Sequence, residues 1–252
     1  MSQVPPVELP IGEEIAVSPG EFFERRSLLV ALGGILLGLM PGIRSIAAPG
    51  NEVSFKEFLS RANPLAQRLV DDQSVTGQDK YLRSIAAIAS GLVDVPIPEK
   101  WNNSDQGVTP ESYRIGFNPG GELFRVLHWR LEPGAICRPH AHTYGNVLSI
   151  GLEGAARVSN YEVVGDPDYG SEGTFLVRRT VDQLFRPGSM NLVSLEKNYI
   201  HGFVAGQNGA RGLDITTPLK PKPAHTTPYL TIGDKPVDEF ARTFEAAWEY
   251  SN

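Results

Sequence analysis

The feature that most constrains the fold is a series of short segments with β-type composition between residues 113 and 217. Apolar and polar residues alternate within them, and Gly, Pro and Asn residues lie between them. Many short strands at this spacing predict a sandwich or a barrel. The segments are Tyr113–Phe117, Leu123–Leu131, Ala135–Ala141, Val147–Leu152, Ala156–Val164, Thr174–Gln183, Met190–Leu195, Ile200–Ala205 and Leu213–Thr217.

Two histidines lie near the middle of this region, in the glycine-rich stretch Pro133–Gly154. His140 and His142 are two residues apart, so an extended backbone places both imidazoles on one face of a strand. Of the five histidines in the chain, His201 is the candidate third partner because it follows another alternating segment. Three converging imidazoles would form a metal site. A His-x-His pair taken alone is as often hydrogen-bonded structure as a metal site.

This arrangement resembles the cupin superfamily, in which one motif carries His-x-His and a second motif supplies another His across a small barrel. Residues 112–218 are similar to the thiol dioxygenases, the cysteine and 3-mercaptopropionate dioxygenases, which bind iron through three His and no carboxylate. The resemblance implies a mainly-β, cupin-type double-stranded β-helix barrel with N-terminal helices. It also implies Fe(II) bound by His140, His142 and His201.

In many cupins a glutamate follows the His-x-His by four residues, and here Asn146 occupies that position. Three neutral ligands leave the charge of a divalent metal uncompensated, which suits an anionic, soft donor such as a thiolate. The resemblance therefore implies a dioxygenase that uses O2 to oxidise a small thiol to a sulfinic acid. Metal affinity alone would favour Cu, Ni or Zn. Two alternatives remain: a lyase or isomerase that uses Zn, Ni or Mn as a Lewis acid, and a non-catalytic barrel that binds a small ligand.

Arg114 is the candidate for binding a substrate carboxylate, because an arginine on an early strand has this role in cysteine dioxygenases. A surface arginine on an edge strand explains it equally well. Alternation places Arg125 on the face of Trp129, which matches a pocket tryptophan of the family or simply packs in the core. If that face lines the pocket, Arg125 is a rival to Arg114; a solvated arginine near the start of the strand is the alternative. His128 falls on the opposite face, which predicts a structural role.

Tyr199 is a candidate catalytic residue because it lies two residues before His201 and shares its face if the strand begins early enough. Packing in the core is the alternative. The family's outer-sphere motif, Ser-x-His-x-Tyr, would fall at Gly212–Thr216, and none of its three residue types is kept there. Proton transfer would therefore differ from that in the family.

The N-terminal segment has the features of an export signal. Residues 27–40 form an apolar run that is short for a membrane span, and Ser45-Ile46-Ala47 provides a small-x-small cleavage site. Arg25-Arg26 precedes the run and indicates twin-arginine export. We expect a periplasmic or lumenal protein, or one that residues 27–40 anchor to the membrane if the signal is not cleaved.

Helical patterns flank the predicted barrel. Ser54 and Glu57 form a capping box for a helix that reaches about Asp72, and Pro64 is expected to split this helix in two. A second helix is predicted over Asp79–Ser90.

A last helix is predicted over Val237–Trp248. The expected regions of the chain follow from these patterns. They are the signal or anchor (1–48), a helical extension (49–105), the barrel (106–220), and a linker with a C-terminal helix (221–252).

Composition narrows the choice of partners. The chain of 252 residues carries a net charge of −6, which argues against nucleic acid because phosphates would not be neutralised. Its single cysteine, Cys137, cannot form a disulfide within the chain, and a small buried apolar role is expected for it. The expected partners are a small thiol and O2, with the membrane involved only through the N-terminal segment.

Overall fold

A computed structural model describes residues 52–97, 111–118, 121–165, 173–220 and 228–250, with the backbone alone at 111–118, 121–122 and 250. Two helices and eleven strands lie within these ranges. They are β1 (Val53–Ser54), α1 (Phe55–Asp71), α2 (Val75–Ala89), β2 (Leu92–Val93), β3 (Glu111–Asn118), β4 (Gly121–Leu131), β5 (Ile136–Ala141), β6 (Gly145–Val163), β7 (Thr174–Phe185), β8 (Met190–Val193), β9 (Ile200–Pro218), β10 (Pro228–Ile232) and β11 (Thr243–Tyr250).

Strand pairing closes these elements into a barrel. Hydrogen-bonded neighbours run in the order β9, β5, β10, β11, β7, β6, and β6 pairs again with β9. β4 and β3 extend the sheet from β9, and β8 extends it from β6. β1 and β2 pair separately as a short parallel ribbon. The predicted mainly-β barrel is confirmed.

The two longest strands, β6 and β9, are antiparallel over their whole lengths, from Gly145 opposite Pro218 to Tyr161 opposite Ile200. The sequence predicted each of them as two separate strands. The register shifts twice within β6, and Gly154 adopts a left-handed φ of 64° at the second shift. These irregularities bend the strands so that one half of β9 pairs with β4 and the other half with β5.

The inner face of the barrel is packed around Trp129. Its ring centroid lies 5.2 Å from that of Phe203 and 6.1 Å from that of Phe185. Trp129 is the register partner of Gly212, and the missing side chain at Gly212 makes room for the indole. The inner face therefore joins β4, β7 and both halves of β9.

Both predicted N-terminal helices are present and pack on the outer face of the sheet, where Phe58 and Ile85 meet Leu148 and Leu213. The Ser54 side chain accepts a hydrogen bond from the Glu57 N–H at 3.1 Å, which confirms the N-cap. The second helix begins at Val75, one turn earlier than predicted.

The prediction that Pro64 splits the first helix is wrong, because α1 continues through it to Asp71. An interior proline costs about 3 kcal/mol. The buried face of α1 offsets this cost, since Phe58, Ala62, Ala66 and Leu69 all lie in the core.

The C-terminal helix predicted over Val237–Trp248 is also wrong. A turn with Arg242 at a φ of 51° leads into strand β11, which pairs with both β10 and β7. Phe244 and Ala246 are buried while Glu245 is exposed, so burial follows the period of a strand. β11 closes the ring of strands, and the backbone hydrogen bonds to two neighbours outweigh the helical preference of the segment.

The predicted export signal and the boundary at residue 48 lie outside the described residues. Among the helices that the structure does describe, none is long and apolar enough to cross a membrane.

We predict that Gly212→Ala destabilises the barrel by about 1–3 kcal/mol, because the new Cβ would overlap the Trp129 ring and approach the Ile150 carbonyl oxygen to 2.6 Å. Gly206→Ala is the matched control, since its Cβ would meet only the Ala155 carbonyl oxygen, at 3.3 Å. Urea unfolding of both variants measures the difference. Equal stabilities would contradict the assigned packing.

Candidate metal centre

The structure brings together the three histidines identified from the sequence. His140 lies on β5 and is the register partner of His201 on β9. His142 follows the end of β5, and its N–H donates to the Tyr199 carbonyl oxygen at 2.8 Å. One ring nitrogen from each histidine lies within 4.8 Å of the others, and the Nε2 atoms of His142 and His201 are 2.9 Å apart.

A bulge in β5 shapes this cluster. The register shifts between Cys137 and His140, so that both side chains reach the same side of the strand. The Cys137 Sγ lies 3.9 Å from the His140 Nδ1. Strict alternation would have placed the two residues on opposite faces. Burial raises the pKa of the Cys137 thiol to about 12, so it stays a neutral thiol and supports the expected apolar role.

Two of the imidazoles are oriented through their Nδ1 atoms. His140 Nδ1 lies 3.0 Å from the Arg138 carbonyl oxygen, and His201 Nδ1 lies 3.1 Å from the Asn191 Oδ1. Both oxygens only accept hydrogen bonds, so we assign the proton to Nδ1 in each ring. The unprotonated Nε2 atoms are then free to bind a metal.

Asn191 is itself fixed by a second buried amide. Its Nδ2 donates to the Asn160 Oδ1 at 2.6 Å, and the Asn160 Nδ2 donates to the Asn191 Oδ1 and to the Asn198 carbonyl oxygen. Asn160 is the register partner of His201. Such outer hydrogen bonds fix the orientation of a metal-binding histidine and raise its basicity.

Burial lowers the pKa of all three histidines. The shift is large for His142 and His201, where the neighbouring imidazoles add to it, and at His140 the Arg138 carbonyl opposes it. His201 is fully buried, and His140 and His142 are half-buried. All three rings are therefore neutral near pH 7, which is the state that binds metals.

The donor set fits a divalent transition ion. Two ligand nitrogens at right angles, each about 2.1 Å from a metal, are separated by about 3 Å, and the observed separation of 2.9 Å matches this. Without a cation or a proton between them, the two lone pairs would repel each other. No carboxylate joins the cluster among the described residues.

Aromatic rings border the histidines. The Tyr229 ring on β10 lies 5.9 Å from the His140 ring, and the Phe203 ring lies 5.0 Å from the His201 ring. Tyr229 is the register partner of His140, a contact that no sequence pattern predicted. These contacts place the cluster against the apolar interior of the barrel.

The Tyr199 side chain packs and hydrogen-bonds against β6. Its hydroxyl accepts a hydrogen bond from the Val163 N–H at 2.8 Å, and its ring is buried with Ile200 and Tyr161. Tyr199 precedes β9, so the alternation that would align it with His201 does not extend to it. A catalytic role for Tyr199 stays a prediction, while its backbone carbonyl supports His142.

Arg114 lies on β3 as the register partner of Arg125 on β4, and its side chain lies outside the described residues. Arg125 is half-buried and shares the face of Trp129, as predicted. Binding of a carboxylate by either arginine stays a prediction.

Asn146 lies on the opposite face of β6 from the barrel interior. It shares that face with Leu148 and Ile150, which pack against the helices. Alternation places Val147 inside instead, opposite Thr216. Neither residue supplies a carboxylate at the position where many cupins have one.

A carboxyl that the sequence left without a role lies on the inner face of β9. The Asp214 Oδ1 accepts a hydrogen bond from the Trp129 Nε1–H at 3.0 Å. Burial raises the pKa of Asp214 to about 6, and the hydrogen bond from Trp129 opposes part of the rise. Alternation along a strand interrupted by glycines did not reveal which residues would meet there.

No protein-family model and no curated protein matches the sequence. The structure is similar to KdgF from Halomonas sp., with 17% identity and a TM-score of 0.34, over 48% of this chain and 88% of that chain. It is also similar to an RmlC-like cupin protein from Desulfovibrio desulfuricans, with 16% identity and a TM-score of 0.34, over 50% of this chain and 96% of that chain. The coconut allergen cocosin matches at 17% identity and a TM-score of 0.33, over 46% of this chain and 28% of its own. At these values none of the three bears on what this chain binds or does.

We predict that Asn191→Ala weakens Zn(II) binding about 10–100-fold, because His201 loses the acceptor that orients its ring. Asn146→Ala is the matched control, a fully buried amide on the opposite face of β6, and should leave the affinity unchanged. Competition with a chelating dye measures both affinities. Equal affinities of the two variants would contradict a role for Asn191.

We predict that Asp214→Asn changes the pH dependence of stability. The folded state holds the Asp214 proton more tightly than the unfolded chain, so the wild type loses about 2 kcal/mol of stability as pH rises from about 4 to 7. The variant lacks this loss, so its free energy of unfolding rises relative to that of the wild type over that range.

Asp182→Asn serves as the control of opposite sign. The hydrogen bond from Arg157 lowers the pKa of Asp182. The free energy of unfolding of the wild type therefore rises relative to that of Asp182→Asn as pH rises. Urea unfolding at pH 4, 5, 6 and 7 measures both differences. Parallel curves for wild type and Asp214→Asn would contradict the raised pKa.

Proposed function

We propose that the protein is a mononuclear metallocupin in which His140, His142 and His201 bind the metal. The finer proposal is a non-haem Fe(II) dioxygenase that oxidises a small thiol with O2 to a sulfinic acid. The observation that supports it best is the cluster of three neutral imidazoles, which no carboxylate of the described residues joins. When bound, iron would supply the redox chemistry that joins O2 to the sulfur of the thiol.

The charge of this donor set favours an anionic substrate. Three neutral ligands contribute no negative charge, so a divalent ion keeps its full charge inside a partly buried site. A thiolate neutralises part of that charge and is a soft donor. A carboxylate in the cluster would have reduced this preference.

The protein residues position and shield the site in this proposal. Asn191 and the Arg138 carbonyl orient two of the rings. Phe203, Trp129 and Phe185 pack together beside His201 and exclude water from that side. A dry pocket strengthens the attraction between an anionic substrate and a cation.

Arg114 is proposed to bind a carboxylate of the substrate, with Arg125 as the alternative. The two residues are paired in register on β3 and β4. A planar guanidinium binds a carboxylate through two parallel hydrogen bonds. A substrate with both a thiol and a carboxylate would use this site together with the histidines.

A Lewis-acid metallocupin that uses Zn, Ni or Mn is the second candidate. The all-histidine donor set favours it, because nitrogen ligands bind Ni and Zn more tightly than Fe(II). Its activity would not require O2.

Export from the cytoplasm is a further part of the proposal. It rests on Arg25-Arg26, the apolar residues 27–40 and the small residues around Ser45–Ala47. The twin-arginine route carries folded proteins, so a metal acquired in the cytoplasm would be exported with the chain.

We predict about one iron per chain in the purified full-length protein, and loss of that iron in His140→Ala because one of three ligands is removed. His128→Asn is the control, a buried histidine outside the cluster, and should keep its metal. Metal analysis by mass spectrometry is followed by oxygen-electrode assays with cysteine and 3-mercaptopropionate. O2 uptake that requires both thiol and iron would support the dioxygenase.

Other outcomes separate the alternatives. Stoichiometric Zn or Ni without thiol-dependent O2 uptake would favour the Lewis-acid enzyme. No bound metal after incubation with Fe(II) or Zn(II) would overturn the proposed function and leave a binding barrel.

A further inference from the structure

A second group of polar side chains lies on the inner face of the barrel, apart from the histidines. Asp214 on β9 accepts a hydrogen bond from the Trp129 Nε1–H and lies opposite Ser149 of β6 in register. Asp214 is half-buried, and Trp129 and Ser149 are buried. A carboxyl in such surroundings is costly unless its hydrogen bonds or its protonation compensate for burial.

Three links relate this group to the histidine cluster: strand register, a chain of packed rings and electrostatics. Ser149 is paired in register with Asp214 on one side and with Asn191 on the other, and Asn191 accepts from His201. Adjacent strands are about 4.8 Å apart, so Asp214 and Asn191 are two strand spacings apart. Asp214 thus lies in the same inner row as the residue that holds His201.

The second link runs through aromatic rings, because Trp129 packs on Phe203, and Phe203 packs on His201. The third is electrostatic: the charge of Asp214 contributes to the raised pKa of Cys137, which lies 3.9 Å from the His140 Nδ1. Asp214 therefore lies near enough to the histidine cluster for its charge to act on Cys137, the neighbour of His140.

Few other groups near Asp214 can change their charge close to neutral pH. On the inner face of the described strands around it are Arg125 of β4, Cys137 and His140 of β5, and His201. β6 and β8 contribute the uncharged Ser149 and Asn191, and β7 contributes Phe185. Cys137 stays a neutral thiol, and the pKa of about 6 for Asp214 leaves it mostly ionised at pH 7.

We propose that Asp214 accepts the proton that a thiol substrate loses when it binds at the three-histidine centre, an inference that rests on the proposed function. The S–H bond breaks, its electron pair stays on sulfur, and the proton forms an O–H bond with the Asp214 carboxylate. No electron is transferred in this step. The resulting thiolate faces the cation, while the neutral Asp214 adds no repulsion to the new anion.

Proton counting tests the proposal without turnover. The full-length protein is loaded with redox-inert Zn(II), and 3-mercaptopropionate is titrated into it by calorimetry at pH 7 in buffers of different ionisation enthalpy. Asp214→Asn should release about one proton more per thiol bound than the wild type, because its amide cannot take up the proton. Asp214→Glu should restore the wild-type count. Equal counts in wild type and Asp214→Asn would overturn the proposal and leave the metal site intact.

Trp129→Phe provides a second variant that keeps the carboxyl. Loss of the indole donor raises the pKa of Asp214, so the pH at which half of the proton is released should move upward. An unchanged midpoint would overturn the proposal. Failure of the wild type to bind Zn(II) at all would instead overturn the proposed function, and Zn(II) binding without thiol binding would exclude a thiol as the substrate.

Discussion

The pairing of β6 with β9 is the interaction on which the rest of the structure depends. These strands are antiparallel from Gly145 opposite Pro218 to Tyr161 opposite Ile200, and their pairing closes the ring of strands. One end of the pair carries His201, and the other end carries Asp214. Because the register shifts bend both strands, residues distant along β9 face one interior. A slip of one residue would turn both functional side chains outward.

Closure also explains why so many polar groups are tolerated inside. Neutral imidazoles cost less to bury than charged ones, and the lowered pKa values of the three histidines express this preference. Asn191 and Asn160 then satisfy the Nδ1 of His201 and each other. The two Nε2 atoms of His142 and His201 meet at 2.9 Å, a contact that needs a proton or a cation between them. A metal ion could take the place of that proton, because the three rings are already oriented toward one another.

Part of this arrangement follows from sequence patterns alone. Two-residue spacing brought His140 and His142 to one side of the chain, and His201 was identified because it follows an alternating segment. The same alternation failed at Cys137, because a bulge in β5 changed its face. A helical pattern misled at the C-terminal segment, where two neighbouring strands favoured β11 over a helix. Local patterns predict faces, whereas the partners across the barrel depend on closure. The contacts of Asn191, Tyr229 and Asp214 depend on closure in this way, so local patterns did not predict them.

The separation of the carboxyl from the histidines has a chemical consequence. A carboxylate that binds the metal directly would neutralise one positive charge permanently. Asp214 instead lies outside the ligand set, where burial raises its pKa and the hydrogen bond from Trp129 opposes part of the rise. Its charge can therefore change when the charge at the metal changes. An anion that binds the cation raises the cost of a second negative charge nearby, which favours protonation of Asp214. Because Asp214 is not a ligand, anion binding at the metal is coupled to proton uptake by Asp214. A carboxylate within the ligand set would lose that coupling.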